Sequence, residues 1–492
     1  MAYFIGADLG TSALKLLLVS DGGDILRRVS RTYPVAYPHP GWSEQEPEGW
    51  WQALESGIPE LLEGFDASAV KGIGVGGQMH GLVVLDEADA VIRPAILWND
   101  GRTDKETAYL NEVVGKDVLS ARTANIAFAG FTAPKVLWMR ENEPENFAKI
   151  CKVMLPKDYL NYRLTGVHCT DFSDASGMLL LDVEHRCWSA EMLALCGLTE
   201  AQMPALFESY QPVGKLLPEL AAAWGLSPDV TVVAGAGDNA AAAVGTGIVG
   251  EGGCNVSLGT SGTIFLSSRK FTVDPCNALH AFCHADGGYH LMGCILSAAS
   301  CNKWFCEDIL GSEDYAGLQS SINPEMLGCN HVYFLPYLMG ERSPINDTDA
   351  RGTFTGMRMD TTRTDMLLAV LEGVAFAIRD NLEVARSQGL EIPDSCLCGG
   401  GARSPLWQQI FCNVLNIPIR LPQTEEGPGY GGAMLAMVGC GVYDSVQACA
   451  EALVHTKETL YPDPELAARY EAKYRQFSKI YPTMKTLFKE IL

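Results

Sequence analysis

The tetrapeptide Leu-Gly-Thr-Ser occurs twice, as Leu9-Gly10-Thr11-Ser12 and as Leu258-Gly259-Thr260-Ser261, and the first copy is preceded by a carboxylate, Asp8, where the second has Ser257. Apolar runs flank both copies, so each reads as strand, tight turn, strand. A glycine turn of this kind presents backbone N–H groups and hydroxyls with no bulky side chain in the way, and such concavities hold phosphate. Two of them facing one another across a cleft would grip a nucleotide's phosphates from both sides, with Asp8 placed to serve the accompanying magnesium. One copy alone would be an ordinary turn. Two copies in matching context, half a chain apart, favour duplication.

Three further segments carry reactive residue types. Asp238 follows Gly235-Ala236-Gly237 at a strand-to-helix junction. A helix cap would account for an Asp there. Ligands of open α/β sheets bind at such strand ends, however, and a carboxylate there can take a proton from an attacking hydroxyl. Gly399-Gly400-Gly401-Ala402-Arg403-Ser404 is a glycine run longer than a turn requires, suited to a flat ring or a phosphate lying on bare backbone. It lacks the spacing of the dinucleotide fingerprint, and the chain has no Walker motif. Gly76-Gly77-Gln78-Met79-His80-Gly81 and Trp98-Asn99-Asp100-Gly101-Arg102 bring amide, imidazole, carboxylate and an aromatic plate to turns, the equipment of a sugar pocket, although a Trp-anchored turn explains the second equally well.

The elements that must position these residues follow from periodicity. Residues 3–19 read as a hairpin, 49–65 as a helix after Pro47, 70–85 as strand, turn, strand, and 104–114, 133–142 and 158–164 as helices. An apolar run at 230–234 precedes Asp238, and a small-residue helix follows at 239–244. The second half repeats the hairpin, then gives a strand at 289–296, a helix at 298–310, a long helix over 362–387, a strand end at 396–398, and helices at 405–415, 431–440 and 465–492. Alternating α/β elements around a duplicated hairpin predict two α/β domains, divided near residues 245–253.

Composition narrows the function. With 492 residues the chain has room for two domains, and its net charge of −23 argues against nucleic acid or an anionic membrane surface as partner. It does not argue against ATP, which backbone dipoles and a metal can hold. The start of the chain lacks the features of a signal peptide and no apolar run is long enough to span a bilayer, so the sixteen scattered cysteines are expected to be cytoplasmic thiols. His280-Ala281-Phe282-Cys283-His284 has metal-ligand residue types without a second cluster and reads as a buried strand.

These segments together resemble the FGGY carbohydrate kinases, and within them the xylulose kinase branch. The likeness runs through Asp8-Leu9-Gly10-Thr11-Ser12, Trp42-Ser43-Glu44-Gln45, Gly77-Gln78-Met79-His80-Gly81, Arg93 to Asp100, Thr132-Ala133-Pro134-Lys135, Leu155-Pro156-Lys157-Asp158-Tyr159, Gly237-Asp238-Asn239-Ala240, the second Leu-Gly-Thr-Ser, Leu335 to Leu338, Gly340-Glu341-Arg342 and Gly399 to Arg403. Glycerol kinases carry an Asn-Gln-Arg-Glu-Thr-like segment where this chain has Gly77 to Gly81. The resemblance implies two ribonuclease-H-like domains of the actin/hexokinase ATPase type with a cleft between them, spanning residues 1–247 and 248–492. It implies ATP and Mg2+ as cofactors, a ketose as substrate, and a homodimer as one arrangement, for which the sequence shows no decisive apolar stripe. By the same resemblance Asp238 is the catalytic base and Asp8 the carboxylate near magnesium. Thr11, Ser12, Gly259, Thr260 and Ser261 form the phosphate loops. Gly400, Gly401 and Ala402 form the adenosine turn, and Met79, His80, Trp98, Asp100 and Asn239 the ketose pocket. The implied reaction is phosphorylation of D-xylulose to D-xylulose 5-phosphate. A kinase for ribulose or ribitol would share everything but the pocket. A non-catalytic actin- or Hsp70-like switch would need Asp8 and the hairpins alone. One departure from the family pattern is Tyr430, where relatives usually carry Leu or Ala, and a ring there is expected to narrow the nucleotide side.

Overall fold

The computed structural model describes residues 1–424 and 426–491. Two seven-stranded sheets organise the chain. In the first, β1 (Tyr3–Leu9), β2 (Ala13–Ser20) and β3 (Ile25–Thr32) run antiparallel to one another, and β4 (Val70–Gly77) pairs parallel to β1. β5 (Pro212–Lys215), β6 (Thr231–Val233) and β7 (Ala236–Gly237) complete it, with β6 and β7 both parallel to β4.

The second sheet repeats the plan. β8 (Cys254–Leu258) and β9 (Gly262–Ser268) form the second Leu-Gly-Thr-Ser hairpin. β10 (His280–Cys283) and β11 (Tyr289–Ile295) extend it antiparallel, and β12 (Ser395–Cys398) pairs parallel to β8 as β4 does to β1. β13 (Ile419–Pro422) and β14 (Thr456–Leu460) close the far edge. The shared order, an antiparallel meander of three strands in the first sheet and four in the second flanked by parallel strands, is the duplicated core that the repeated tetrapeptide predicts.

Helices cover both sheets. α1 (Pro47–Leu62) starts with Pro at its first position and buries Trp50, Trp51, Leu54, Ile58 and Leu61 against β2 and β3. α2 (Pro156–Thr165) stops at Gly166, whose φ of 73° supplies the left-handed cap. α3 (Phe172–Ala175) is a single turn, and α4 (Asp238–Gly245) begins where β7 ends. α5 (Arg363–Ser387) is fixed at its start by a reciprocal Thr362–Asp365 capping box, and α6 (Pro405–Leu415) packs against it.

Helix α7 (Gly427–Gly439) departs from its place in the chain: it lies in the second half by number but packs on β1, β4 and α4 of the first sheet. Its glycines make this approach possible. A Cβ on Gly6 would stand 1.9 Å from the Gly429 carbonyl oxygen, one on Gly74 would stand 2.1 Å from that of Gly432, and one on Gly431 would stand 1.9 Å from that of Ala241. Backbone therefore meets backbone, at a cost in helix propensity that close packing offsets.

Tyr430, expected beside the nucleotide, is instead buried in this packing, its hydroxyl donating to the Gly23 carbonyl at 3.0 Å. Its ring fills the core between α7 and β2. Residues 70–85 form strand, turn and strand as expected, the second strand pairing with 152–154, and the stretch read as helical over 465–492 holds two helices, Pro464–Phe477 and Ile480–Glu490. The 280–283 segment is a buried strand, as its composition suggests. Among the described residues no helix is long and apolar enough to cross a membrane.

The glycine packing yields a stability prediction. Gly431→Ala forces a methyl into the Ala241 carbonyl and is expected to cost about 1–3 kcal/mol. Gly400→Ala meets open space and is expected to stay within about 0.5 kcal/mol. Urea unfolding of the two variants checks both values.

Candidate active site

The carboxyl ends of β1, β4 and β7 stand side by side. Asp8 is level with Gly76, and Gly76 and Gly77 are level with Ala236 and Gly237. Asp8 and Asp238 are thus two strand spacings apart, about 10 Å at the backbone. Neither is paired with a cation among the described residues.

Asp238 is the first residue of α4, yet its side chain does not cap the helix in the usual way. Its Oδ1 accepts from the Asn239 amide at 2.7 Å and from Asn239 Nδ2 at 2.9 Å, and no hydrogen bond reaches Oδ2 among the described residues. Burial, with the nearby Asp8 charge, pushes its pKa up to about 7. Burial likewise lifts Asp8 to about 6, opposed by Lys15 directly across the hairpin. Two buried carboxylates at strand ends, one raised further by the charge of the other, are poised for proton transfer and for a hard cation.

The first phosphate turn closes through Gly10 N–H donating to the Ala13 carbonyl at 3.0 Å. Thr11 is held from outside: Gln45 Nε2 donates to its carbonyl at 2.6 Å, and Trp98 Nε1 to its hydroxyl at 3.0 Å. Gln45 in turn receives Gln78 Nε2 and Trp50 Nε1, both at 3.1 Å. Ser12 is exposed.

The second turn is buttressed differently. The Ala298 and Ala299 amides donate to the Thr260 and Gly259 carbonyls, and Ser300 Oγ donates to the Thr260 carbonyl at 2.8 Å. Thr260, Gly400 and Gly401 line one cavity of roughly 950 Å³ together with Ser300, Lys303 and Gln319. Each glycine has its own reason. Gly399 takes φ 90°, and a Cβ there would meet the Leu258 carbonyl at 2.8 Å; one on Gly401 would meet the Trp407 ring at 2.8 Å, while Gly400 faces open space. Ala402 is buried behind the turn.

His80 sits on a left-handed turn with φ 68°. Its carbonyl accepts from Lys135 Nζ at 2.8 Å and Thr132 Oγ1 at 3.1 Å. Its ring stacks on Phe131 at 4.7 Å, and Nδ1 lies 2.7 Å from the Gly177 carbonyl. A carbonyl only accepts, so Nδ1 carries the hydrogen and Nε2 is left as an acceptor. Burial, with the Lys135 charge nearby, holds the ring neutral, its pKa pushed down to about 3. Gly177 has no room for a side chain, since a Cβ would stand 2.4 Å from the His80 ring. Met79 is buried beneath Asn239, whose Nδ2 lies 3.8 Å from its sulfur. A Cβ on Gly237 would meet the Met79 side chain at 2.9 Å.

Trp98 is 44% exposed, an open aromatic plate beside Thr11. Asp100 is different. It is buried and its oxygens accept from the Ser43 amide, the Arg102 amide and the Arg102 guanidinium at 2.6–2.9 Å. Arg102 lies 3.7 Å over the Trp42 ring and pairs with Glu44. Asp100 therefore anchors the turn that carries Trp98, with both oxygens already engaged.

Several residues around the site carry no role in the sequence-level reading. Lys135 is a polar side chain inside an otherwise apolar stretch, Lys157 lies among buried residues, and Gln45 is buried although its neighbours in the chain are polar. Arg342, from the second half, places its guanidinium 5.3 Å from the Phe128 ring without an ion-pair partner among the described residues, and its charge acts on His80. Phe128 packs on Phe131, which stacks on His80, so the second half reaches the same pocket wall.

Comparison with known proteins agrees with this arrangement. Residues 3–245 match the N-terminal domain of the FGGY family of carbohydrate kinases, and residues 254–440 match its C-terminal domain. The chain is 41% identical to the xylulose kinase of Escherichia coli (strain K12), over 97% of this chain and 98% of that one. It is 37% identical to the xylulose kinase of Bacillus subtilis (strain 168), over 99% and 98%. Among solved structures it superposes on a xyloylose kinase from Brucella ovis with a TM-score of 0.94 at 43% identity, covering 99% of this chain and 100% of that one. A xylulose kinase from Rhodospirillum rubrum gives 0.92 at 31%, covering 99% and 100%. The fold is the two-domain, actin/hexokinase-like ATPase fold of these sugar kinases.

The raised carboxyl of Asp238 has a consequence for stability. Its folded pKa of about 7 lies above the ordinary 3.8, so the native state holds the proton more tightly than the unfolded chain. Its contribution is present at low pH and is lost as pH climbs through that interval. Asp238→Asn is therefore expected to match the wild type near pH 4 and to exceed it at pH 8 by roughly 2–4 kcal/mol. Thermal unfolding of both proteins at the two pH values checks this.

Proposed function

We propose, for a chain that belongs to the FGGY family of carbohydrate kinases, that this enzyme transfers the γ-phosphoryl group of ATP to the terminal hydroxyl of D-xylulose, giving D-xylulose 5-phosphate and ADP. Relatives 37–41% identical over nearly the full chain, and a solved structure 31% identical over 99% of it, are xylulose kinases. The single observation that carries the chemistry is the Asp238 carboxylate, oriented through one oxygen by Asn239 while the other is available, with its pKa lifted into the working range.

In this reading Asp238 takes the proton from the sugar's terminal hydroxyl as that oxygen forms its bond to the γ-phosphorus and the bond to the β-phosphate oxygen breaks. Thr11 and Ser12 on one side, and Gly259, Thr260 and Ser261 on the other, bind the phosphates through backbone amides and hydroxyls. The cavity beside Gly400 and Gly401 takes the adenosine. Neutral His80 offers Nε2 to a sugar hydroxyl, Trp98 gives the sugar's C–H face a ring, and Asn239 holds the base, with Met79 packed beneath it.

Magnesium fits the residues present. Asp8 offers oxygen, the donor Mg2+ prefers, and no cluster of three or more His, Cys, Asp or Glu side chains builds an all-protein cage among the described residues. That is the pattern of an ion held by a carboxylate plus substrate phosphates. When bound it neutralises charge on the phosphates. Sixteen free cysteines suit a reducing, cytoplasmic setting.

Asp238→Ala is expected to fold and to lose sugar-dependent ADP release by about 10²–10⁴-fold. Activity near wild type in a coupled assay would remove the base assignment. A panel of D-xylulose, D-ribulose and ribitol at equal ATP is expected to favour D-xylulose, and a clear preference for another member would reassign the substrate. ADP release independent of any sugar would point to a nucleotide switch instead. Because the base must be ionised, kcat/KM for D-xylulose is expected to rise with pH through about 7.

A further inference from the structure

Beneath the strand ends that carry Asp238 lies a polar cluster with no access to solvent. Lys157, Asp158, Asp171, Ser173 and Asp174 are each 0% exposed. Lys157 Nζ donates to Asp158 Oδ1 at 2.7 Å and lies 2.9 Å from Asp171 Oδ1 and 3.7 Å from Asp174 Oδ2. The sheet makes room for it, since a Cβ on Gly77 would stand 2.6 Å from the Lys157 Cβ. Gly77 is the register partner of Gly237, one residue before the base.

The other oxygen of Asp171 leads to the active site. Asp171 Oδ2 accepts from Ser173 Oγ at 2.5 Å, from the Ser173 amide at 2.9 Å and from Ser209 Oγ at 2.7 Å. With its hydrogen directed at Asp171, Ser173 Oγ turns a lone pair outward and accepts from the Gly237 amide at 3.2 Å. Gly237 is the cap residue of α4. A buried ion cluster is rarely worth its desolvation as a stabilising device, and apolar side chains of the same volume commonly serve stability as well or better. A hydroxyl whose direction is dictated by a fixed carboxylate does something an apolar side chain cannot do: it places one particular amide.

We propose that Lys157, Asp171 and Ser173 form a positioning relay for the base, in which the buried ammonium fixes the carboxylate, the carboxylate aims the hydroxyl, and the hydroxyl sets where α4 begins and thus where Asp238 points. The proposal rests on Asp238 acting as base. Burial raises the pKa of Asp174, opposed by the Lys157 charge.

The matched control is built into the cluster, because Ser209 gives Asp171 the same kind of bond without touching Gly237. Ser173→Ala is expected to lower kcat for D-xylulose by about 10- to 100-fold while KM for sugar and ATP moves less than about threefold. Ser209→Ala is expected to keep kcat within about threefold at a comparable loss of melting temperature. Should Ser173→Ala not fold, Ser173→Cys keeps the volume with a poor acceptor and is expected to show the same split. Equal kcat losses in the Ser173 and Ser209 variants, or a wild-type kcat in a folded Ser173 variant, overturn the relay. Asp238→Asn assayed alongside separates the two failures: if it is inactive while Ser173→Ala is normal, only the relay falls, and if it is active, the base assignment falls first.

Discussion

Two carboxylates held two strands apart at the ends of one sheet, with no ion-pair partner among the described residues, are the constraint to which the rest of this structure answers. Asp8 and Asp238 each resist ionisation because each is buried, and the Asp8 charge makes ionisation of Asp238 harder still. A fold gains nothing in stability from that arrangement. It is sustained because the strands beneath are over-determined by packing, and it makes sense where a hard cation, a phosphate chain and an ionisable hydroxyl are brought together.

The packing that sustains it is backbone against backbone. Glycines at 6, 74, 429, 431 and 432 let α7 lie directly on β1, β4 and α4. Movement of Asp8 or of the start of α4 would therefore require carbonyl groups to interpenetrate. Rigidity here comes from excluded volume, and the buried Lys157 cluster adds direction to it. The second sheet carries the other hairpin, tied to residues 298–300, and a glycine turn that lines the large cavity.

Much of this was legible in the sequence because the signals are local. The two hairpins follow from a repeated tetrapeptide between apolar runs. The helix at Pro405–Leu415 follows from its period and from Ser404, which caps it. Asp238 follows from glycines at a strand end. What escaped is long-range. Nothing local to Tyr430 says that its ring will be buried against β2, some four hundred residues away, because that depends on where α7 docks. Asp100 carries the composition of a sugar ligand, but Arg102 two residues on and Ser43 from another segment take both its oxygens. The role of Lys157 depends on carboxylates from α3 and its flanks. Periodicity cannot report such a meeting, although a lysine in an apolar stretch signals that some partner must exist.

The role of Asp238 as base depends on its carboxyl holding its proton until close to neutral pH in the folded enzyme. Infrared titration of the wild-type protein, with the spectrum of Asp238→Asn subtracted at each pH, isolates that one carboxyl group. The predicted result is a protonated-carboxyl band that persists above pH 5 and disappears with a midpoint near 7. A difference spectrum showing the group already fully ionised at pH 5 would contradict the account.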